Sequence, residues 1–213
     1  MFKIINRLLK KIASLIVLLI VISLIVTMFY PVGYKNIVNK YSKEYGVDPY
    51  LVLSMINVES KYNKDAVSNK NARGLMQIGP QTGLWAAESL KIDNYSESLL
   101  FEPEINILIG VWYIDQLKKE FGDRSDLVLA AYNAGSGNVN KWLSDDNYSK
   151  DGDLTNIPFN ETDEYVTKVK KNHRVYKLLY KSYMAKPDTF SSIYIDGIIN
   201  LRNILIKVLK SFR

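Results

Sequence analysis

The 213-residue chain contains no cysteine and a single histidine, His173. Without cysteine there is no disulfide framework, no thiolate nucleophile and no thiolate-ligated zinc. One histidine makes a His-rich metal site or a serine-histidine triad hard to build, so acid-base chemistry falls to carboxylates. Neither a metal nor a cofactor is expected. A basic surface is also lacking where it would matter. Of the net charge of +6, the first 34 residues contribute four basic residues and no acid, and the last 28 contribute five basic residues against two acids. The middle is close to neutral and offers phosphates no stripe, so no nucleic-acid partner is expected. Strict apolar-polar alternation and internal repeats are missing as well, which leaves a helical reading without competition.

The 47% hydrophobic and 23% charged content is that of a folded protein. One hydrophobic run stands apart: Ile12 to Tyr30 carries no charge over about 19 residues, close to what a helix needs to cross a bilayer. It exceeds a usual signal-peptide core, and no Ala-x-Ala-like site follows it, so an uncleaved anchor is expected. Four basic residues precede the run, whereas Lys35, Lys40 and Lys43 follow it. That count favours a cytoplasmic N-terminus and an extracytoplasmic remainder. The expected divisions are a basic stub with a transmembrane anchor over 1–33, a globular domain over 34–185 and a C-terminal helix over 186–213.

Beyond the anchor, Ile37, Val38, Tyr41 and Tyr45 recur at helical spacing and Gly46 supplies a stop. Asp48-Pro49 then offers a cap and a first helical residue for a helix to Ser60. Further helices are predicted over 81–90, 103–121, 125–133, 138–143 and 162–183, with 144–160 a polar loop. In the tail, Asp196, Asn200, Asn203, Lys207 and Lys210 draw a narrow polar stripe on an otherwise apolar helix, suited to a membrane interface, to its own domain or to a partner.

On the helix from Pro49, Val52, Met55, Ile56 and Glu59 share one face, so a carboxylate continues an apolar stripe. Desolvation and the negative helix end both favour its protonated form, which suits a general acid at a glycosidic oxygen. The alternative is a solvated glutamate paired with Lys61 or Lys64. In "SNKNARGLMQIGP", Gly74 permits close approach to the backbone and Gln77 offers a donor and an acceptor. "LAAYNAGSGNV" sets Tyr132 and Asn133 just before Gly135, at an expected helix end.

Together these residues resemble the lytic transglycosylases of the soluble-lytic-transglycosylase type, related to goose-type lysozymes. The matching elements are Glu59-Ser60, "GLMQI" from Gly74 with Pro80 and Thr82, "AYNAG" from Ala131 with Gly137 and Trp142, and "ETDEYVTKV" from Glu161. They extend over Tyr34 to Tyr183. The last motif departs from the family at Asp163, where Arg is frequent. The resemblance implies an all-α, lysozyme-like domain with a glycan-binding groove, acting on peptidoglycan strands, and the apolar run would tether it to the cell membrane. It implies Glu59 as the single acid-base residue, Ser60 and Gln77 near the cleaved linkage, Tyr132 and Asn133 lining the site, and Tyr165 close to Glu59. The implied reaction cleaves the β-1,4 bond between N-acetylmuramic acid and N-acetylglucosamine and closes a 1,6-anhydro ring.

Two alternatives stand beside it. A lysozyme-type hydrolase would use a second carboxylate, for which Asp65 and Glu161 are candidates, Asp65 being also suited to capping its own turn. A noncatalytic wall-binding module would keep only the groove. Asp145 to Asp153 is acidic but lacks the glycine and glutamate of a calcium loop. His173 suits the surface or helix packing rather than a metal site, Trp112 and Tyr113 suit the core, and Trp85 and Trp142 are undecided between core and sugar stacking.

Overall fold

In the computed structural model, which describes residues 2–185 and 190–211, several helix ends have a local cause in the sequence. The expected boundary at Lys186, the Lys210 side chain and Arg213 lie outside what is described. The helices are α1 (Phe2–Phe29), α2 (Lys35–Tyr45), α3 (Pro49–Ser60), α4 (Pro80–Leu90), α5 (Pro103–Phe121), α6 (Ser125–Ala134), α7 (Ser136–Leu143), α8 (Asn160–Ala185) and α9 (Phe190–Ser211). The all-α expectation holds. Two units are distinguished, one of Gly33–Leu179 and one of Met1–Val32 with Tyr180–Arg213.

Within Gly33–Leu179, Gly46 ends α2 at φ 63° and returns its N–H to the Ser42 carbonyl. Asp48 caps α3 by accepting from the Tyr50 N–H at 2.9 Å, with Pro49 in the first helical position. The second oxygen of Asp48 meets His173 Nε2 of α8 at 2.9 Å, which is the packing role expected of that histidine. The core is built on α5, whose Ile107, Ile109, Val111 and Ile114 are wholly buried, and on Val52, Met55 and Ile56 of α3. Trp112 and Trp142 join it.

The predicted loop after α7 contains a β-ribbon, Ser149–Lys150 (β1) against Asp153–Leu154 (β2). Its two-residue connection, Asp151-Gly152, has positive φ at both positions, the backbone that Asp-Gly favours in tight hairpins. Strands this short carry too little alternation to be seen as a pattern.

The turn between α3 and α4 is organised by Asn106, a fully buried amide in the apolar part of α5. Its Oδ1 accepts from the Met76 N–H at 2.7 Å, and its Nδ2 donates to the carbonyls of Arg73 at 2.9 Å and Leu100 at 2.7 Å. Gly74 must be glycine there: its φ is 77°, and a Cβ would fall on the Leu100 carbonyl and the Asn106 amide. Ladder bonds between Arg73 and Ile78 close the turn.

In the second unit α1 is a 28-residue helix of which only the end is covered, with Thr27 buried. The Tyr180 hydroxyl of α8 donates to the Tyr30 carbonyl at 2.5 Å. The hydroxyls of Ser23 and Tyr194 are 2.8 Å apart, and that of Tyr183 donates to Asp196 at 2.9 Å, so α9 packs on the C-terminal part of α1.

Replacing Asn106 by Ala removes its bonds to the Met76 N–H and the Leu100 carbonyl and one of the two donors to the Arg73 carbonyl, which keeps Ile78, at a cost of about 3 kcal/mol. Urea unfolding of Asn106→Ala should show that loss, whereas an unchanged midpoint would contradict the role given to this amide.

Candidate active site

The last turn of α3, the turn through Gln77, the end of α6 and the start of α8 surround a pocket of ≈ 390 Å³. Its lining includes Glu59, Gln77, Tyr132, Asn133 and Glu161. Four of the six residues singled out from sequence therefore meet in one place.

The other two stand behind it. Ser60 turns its hydroxyl to the carbonyls of Ile56 at 3.1 Å and Leu75 at 2.8 Å, stitching the end of α3 to the Gly74–Gln77 turn. Tyr165 is buried on α8 beside Glu59. Its hydroxyl is near enough to act on the carboxyl group but falls short of closing a hydrogen bond.

The lining side chains are held by their own partners. Gln77 adopts a left-handed backbone, φ 49°, and its Nε2 donates to the carbonyls of Gly74 at 2.9 Å and Ala66 at 3.2 Å. The Tyr132 hydroxyl donates to the Met76 carbonyl at 2.9 Å, and Asn133 Oδ1 accepts from the Thr162 hydroxyl at 2.7 Å. Thr162 belongs to the "ETDEY" stretch, so the α6 and α8 motifs brace each other directly.

Electrostatics single out Glu59. Withdrawal from water pushes its carboxyl from the ordinary 4.5 up to about 7, the nearby Tyr165 hydroxyl pulls it back, and the charge of Glu161 raises it further. Among the described residues no cation pairs with it; Lys64 instead pairs with Asp65 at 2.8 Å. Burial and the Glu59 charge hold the phenols of Tyr132 and Tyr165 well above the ordinary tyrosine range, so both stay neutral.

The two candidate second carboxylates part company here. Asp65 is exposed, bound to Lys64 and absent from the pocket lining, and the turn it was expected to cap is capped by Asn63, whose Oδ1 accepts from the Asp65 N–H at 3.2 Å. Glu161 does line the pocket, with Lys70 of the opposite rim 3.3 Å away. Asp163, where the family motif departs, sits in the first turn of α8, where an acid favours the helix N-terminus.

A second pocket of ≈ 370 Å³ is lined by Gln81, Thr82, Trp85, Tyr113 and Glu120. The Tyr113 ring lies 5.4 Å from that of Tyr132 and 6.2 Å from that of Trp85, which makes an aromatic path between the pockets. Tyr113 is thus half-buried wall and not core, since it lines the cleft between α4 and α5. The residue that sequence reading missed outright is Asn106. Its signal was an amide in an otherwise apolar stretch, "EINILIGVW".

Comparison with known proteins shows the family and the fold. The family model described as the transglycosylase SLT domain matches residues 36–154, more than half of the chain. The soluble lytic murein transglycosylase of Escherichia coli strain K12 is 32% identical over 166 residues, covering 76% of this chain and 25% of that protein. Membrane-bound lytic murein transglycosylase C of Serratia proteamaculans is 31% identical over 173 residues, covering 68% of this chain and 46% of the other. The solved structure of an inactive mutant of the lytic transglycosylase Slt from Pseudomonas aeruginosa superposes with a TM-score of 0.67 at 29% identity, over 76% of this chain and 26% of that one. This chain thus spans about a quarter of the length of the soluble relatives it matches. It belongs to the transglycosylase SLT domain family.

Proposed function

We propose that this protein is a membrane-anchored lytic transglycosylase that cleaves the β-1,4 bond between N-acetylmuramic acid and N-acetylglucosamine in peptidoglycan, with Glu59 as its one acid-base residue. The observation that carries the proposal is a carboxyl group pushed up to about 7 in a pocket wall. Such a group is protonated at the start of the reaction and basic enough to take a proton back.

In the proposed sequence, the Glu59 proton goes to the glycosidic oxygen, the bond from that oxygen to the muramyl anomeric carbon breaks, and N-acetylglucosamine leaves with a free 4-hydroxyl. The acetamido oxygen of the muramyl residue stabilises the oxocarbenium-like carbon. The Glu59 carboxylate next removes the proton of the 6-hydroxyl, whose oxygen bonds to the anomeric carbon and closes the 1,6-anhydro ring. Glu59 ends protonated, and no water is consumed. Tyr165 would tune the carboxyl group, Gln77, Tyr132 and Asn133 would form the wall against which the sugar rests, and Ser60 would fix the turn. The Trp85–Tyr113 pocket would extend the groove along the strand, aromatic faces suiting the apolar faces of sugars.

Anchoring is assigned to α1, the one helix among the described residues long and apolar enough to cross a membrane, with the globular domain on the extracytoplasmic side where murein lies. The proposed divisions keep 1–33 as stub and anchor and 34–185 as the catalytic domain.

One observation favours a second reading. Glu161 lines the same pocket, and a hydrolase would use it to activate water. Against this, its side chain is 71% exposed and shared with Lys70, and its effect on Glu59 is the smallest of the three named above.

Glu59→Gln should lower glycan release from purified peptidoglycan by about a hundredfold or more, the usual worth of a general acid. The released muropeptides should carry anhydro ends by mass spectrometry. Reducing muramic acid ends would establish hydrolysis instead, and undiminished release by the variant would leave only a binding module.

The pH profile separates the two neighbours by sign. Because Glu59 must start protonated, activity should fall as pH rises through about 7. Glu161→Gln removes a charge that raises Glu59, so the alkaline limb should move to lower pH. Tyr165→Phe removes a hydroxyl that lowers it, so the limb should move to higher pH. Shifts in the same direction would contradict the assigned electrostatics.

A further inference from the structure

The unit formed by α1, the end of α8 and α9 leaves one surface unexplained. Helix α9 has three faces. Ile195, Ile198, Ile199, Arg202 and Ile206 form the covered one, with Ile198 buried. Asp196, Asn200, Asn203 and Lys207 form the polar one. Phe190, Ile193, Leu201 and Ile204 share a third face, with Gly197 at the intervening position between Ile193 and Leu201, and all four are exposed, Ile193 by 65% and Ile204 by 58%. A soluble helix has no use for a second apolar stripe when its first already packs.

The position of α9 identifies what covers that stripe. Tyr194 is hydrogen-bonded to Ser23, which lies inside the uncharged run from Ile12 to Tyr30. Seven residues separate Ser23 from Tyr30, so the contact lies about 10 Å below the end of the run at the rise of an α-helix. That depth is where interfacial helices bury their apolar faces. The pairing also satisfies two hydroxyls that would be costly alone in hydrocarbon. Asp196, the acid on this helix, is occupied by the Tyr183 hydroxyl, and the remaining ionisable groups of the helix, Arg202, Lys207 and Lys210, are basic.

From this juxtaposition we infer that α9 is a second membrane-binding element, its N-terminal half sunk beside α1 into the outer leaflet and its basic residues set among anionic headgroups. The inference rests on the reading of α1 as a membrane span. It gives the anchored enzyme a two-helix foot where a bare span would turn freely about its own axis.

The natural absence of cysteine allows single spin labels in the full-length chain. Labels at Ile193→Cys and Leu201→Cys on the exposed stripe, Asn200→Cys on the polar face and Leu18→Cys in α1 would be compared in vesicles of phosphatidylglycerol and phosphatidylcholine. Oxygen and a water-soluble nickel chelate serve as relaxing agents. The expected result is an oxygen-to-nickel ratio severalfold higher at Ile193 and Leu201 than at Asn200, with Leu18 deeper than either. Lys207→Glu, or vesicles without phosphatidylglycerol, should reduce the depth at Leu201 and leave Leu18 unchanged. Water-like values at Ile193 and Leu201 with Leu18 still in lipid would overturn the inference alone, as would shielding of both labels from both agents, which would mean a protein neighbour. A water-exposed Leu18 would overturn the anchoring reading and this inference with it.

Discussion

Removing the Glu59 carboxyl group from water is the constraint on which the site depends. At the last turn of α3 the group continues the stripe of Val52, Met55 and Ile56, all wholly buried, so its charged form lacks the solvation that an exposed glutamate has. The gap between 4.5 and about 7 corresponds to about 3 kcal/mol of stability. That cost is absent below pH 4.5, where the carboxyl is protonated in folded and unfolded chains alike, and complete above about 7, where both are charged. The rest of the domain has to tolerate the cost and hold the group still. Ser60 does part of this through Leu75, and Asn106 does more by fixing the backbone of Arg73, Met76 and Leu100 from within α5.

Two neighbours then divide the tuning. Tyr165, neutral and buried, favours the carboxylate, while Glu161 opposes it. A single group that must give a proton and later recover one is served by such a balance, since a carboxyl far above neutrality would release its proton reluctantly and one at its ordinary value would already be ionised at neutral pH. Exposure at the pocket rim with Lys70 alongside keeps the influence of Glu161 small.

Much of this was legible in the sequence because it is local. Gly46, Asp48 and Pro49 fix helix ends through backbone geometry and capping, and the bounds of α3 and α5 follow directly. The face shared by Glu59 with apolar residues follows from helical periodicity. What was not legible depends on distant partners. Nothing near Asn106 reveals that a turn thirty residues earlier needs its amide. Asp65 is near Glu59 in sequence and Glu161 is far, yet α8 brings Glu161 to the pocket while Asp65, paired with Lys64, stays outside its lining. Tyr113 and Trp112 are adjacent in sequence and similar in kind, yet a helix turns successive residues to different sides, so one faces the core and the other the cleft. In the tail, the polar stripe was plain, but the division of the apolar remainder into a covered and an exposed face required the packing of α9 on α1.

The central claim is that Glu59 is a carboxyl group held protonated at near-neutral pH by its surroundings. Carbon-13 NMR of the glutamate side-chain carboxyls, with Glu59→Gln to identify the resonance, measures this directly in the full chain. The account predicts a titration midpoint for Glu59 near 7. A midpoint near 4.5, the value of an ordinary solvated glutamate, would contradict it.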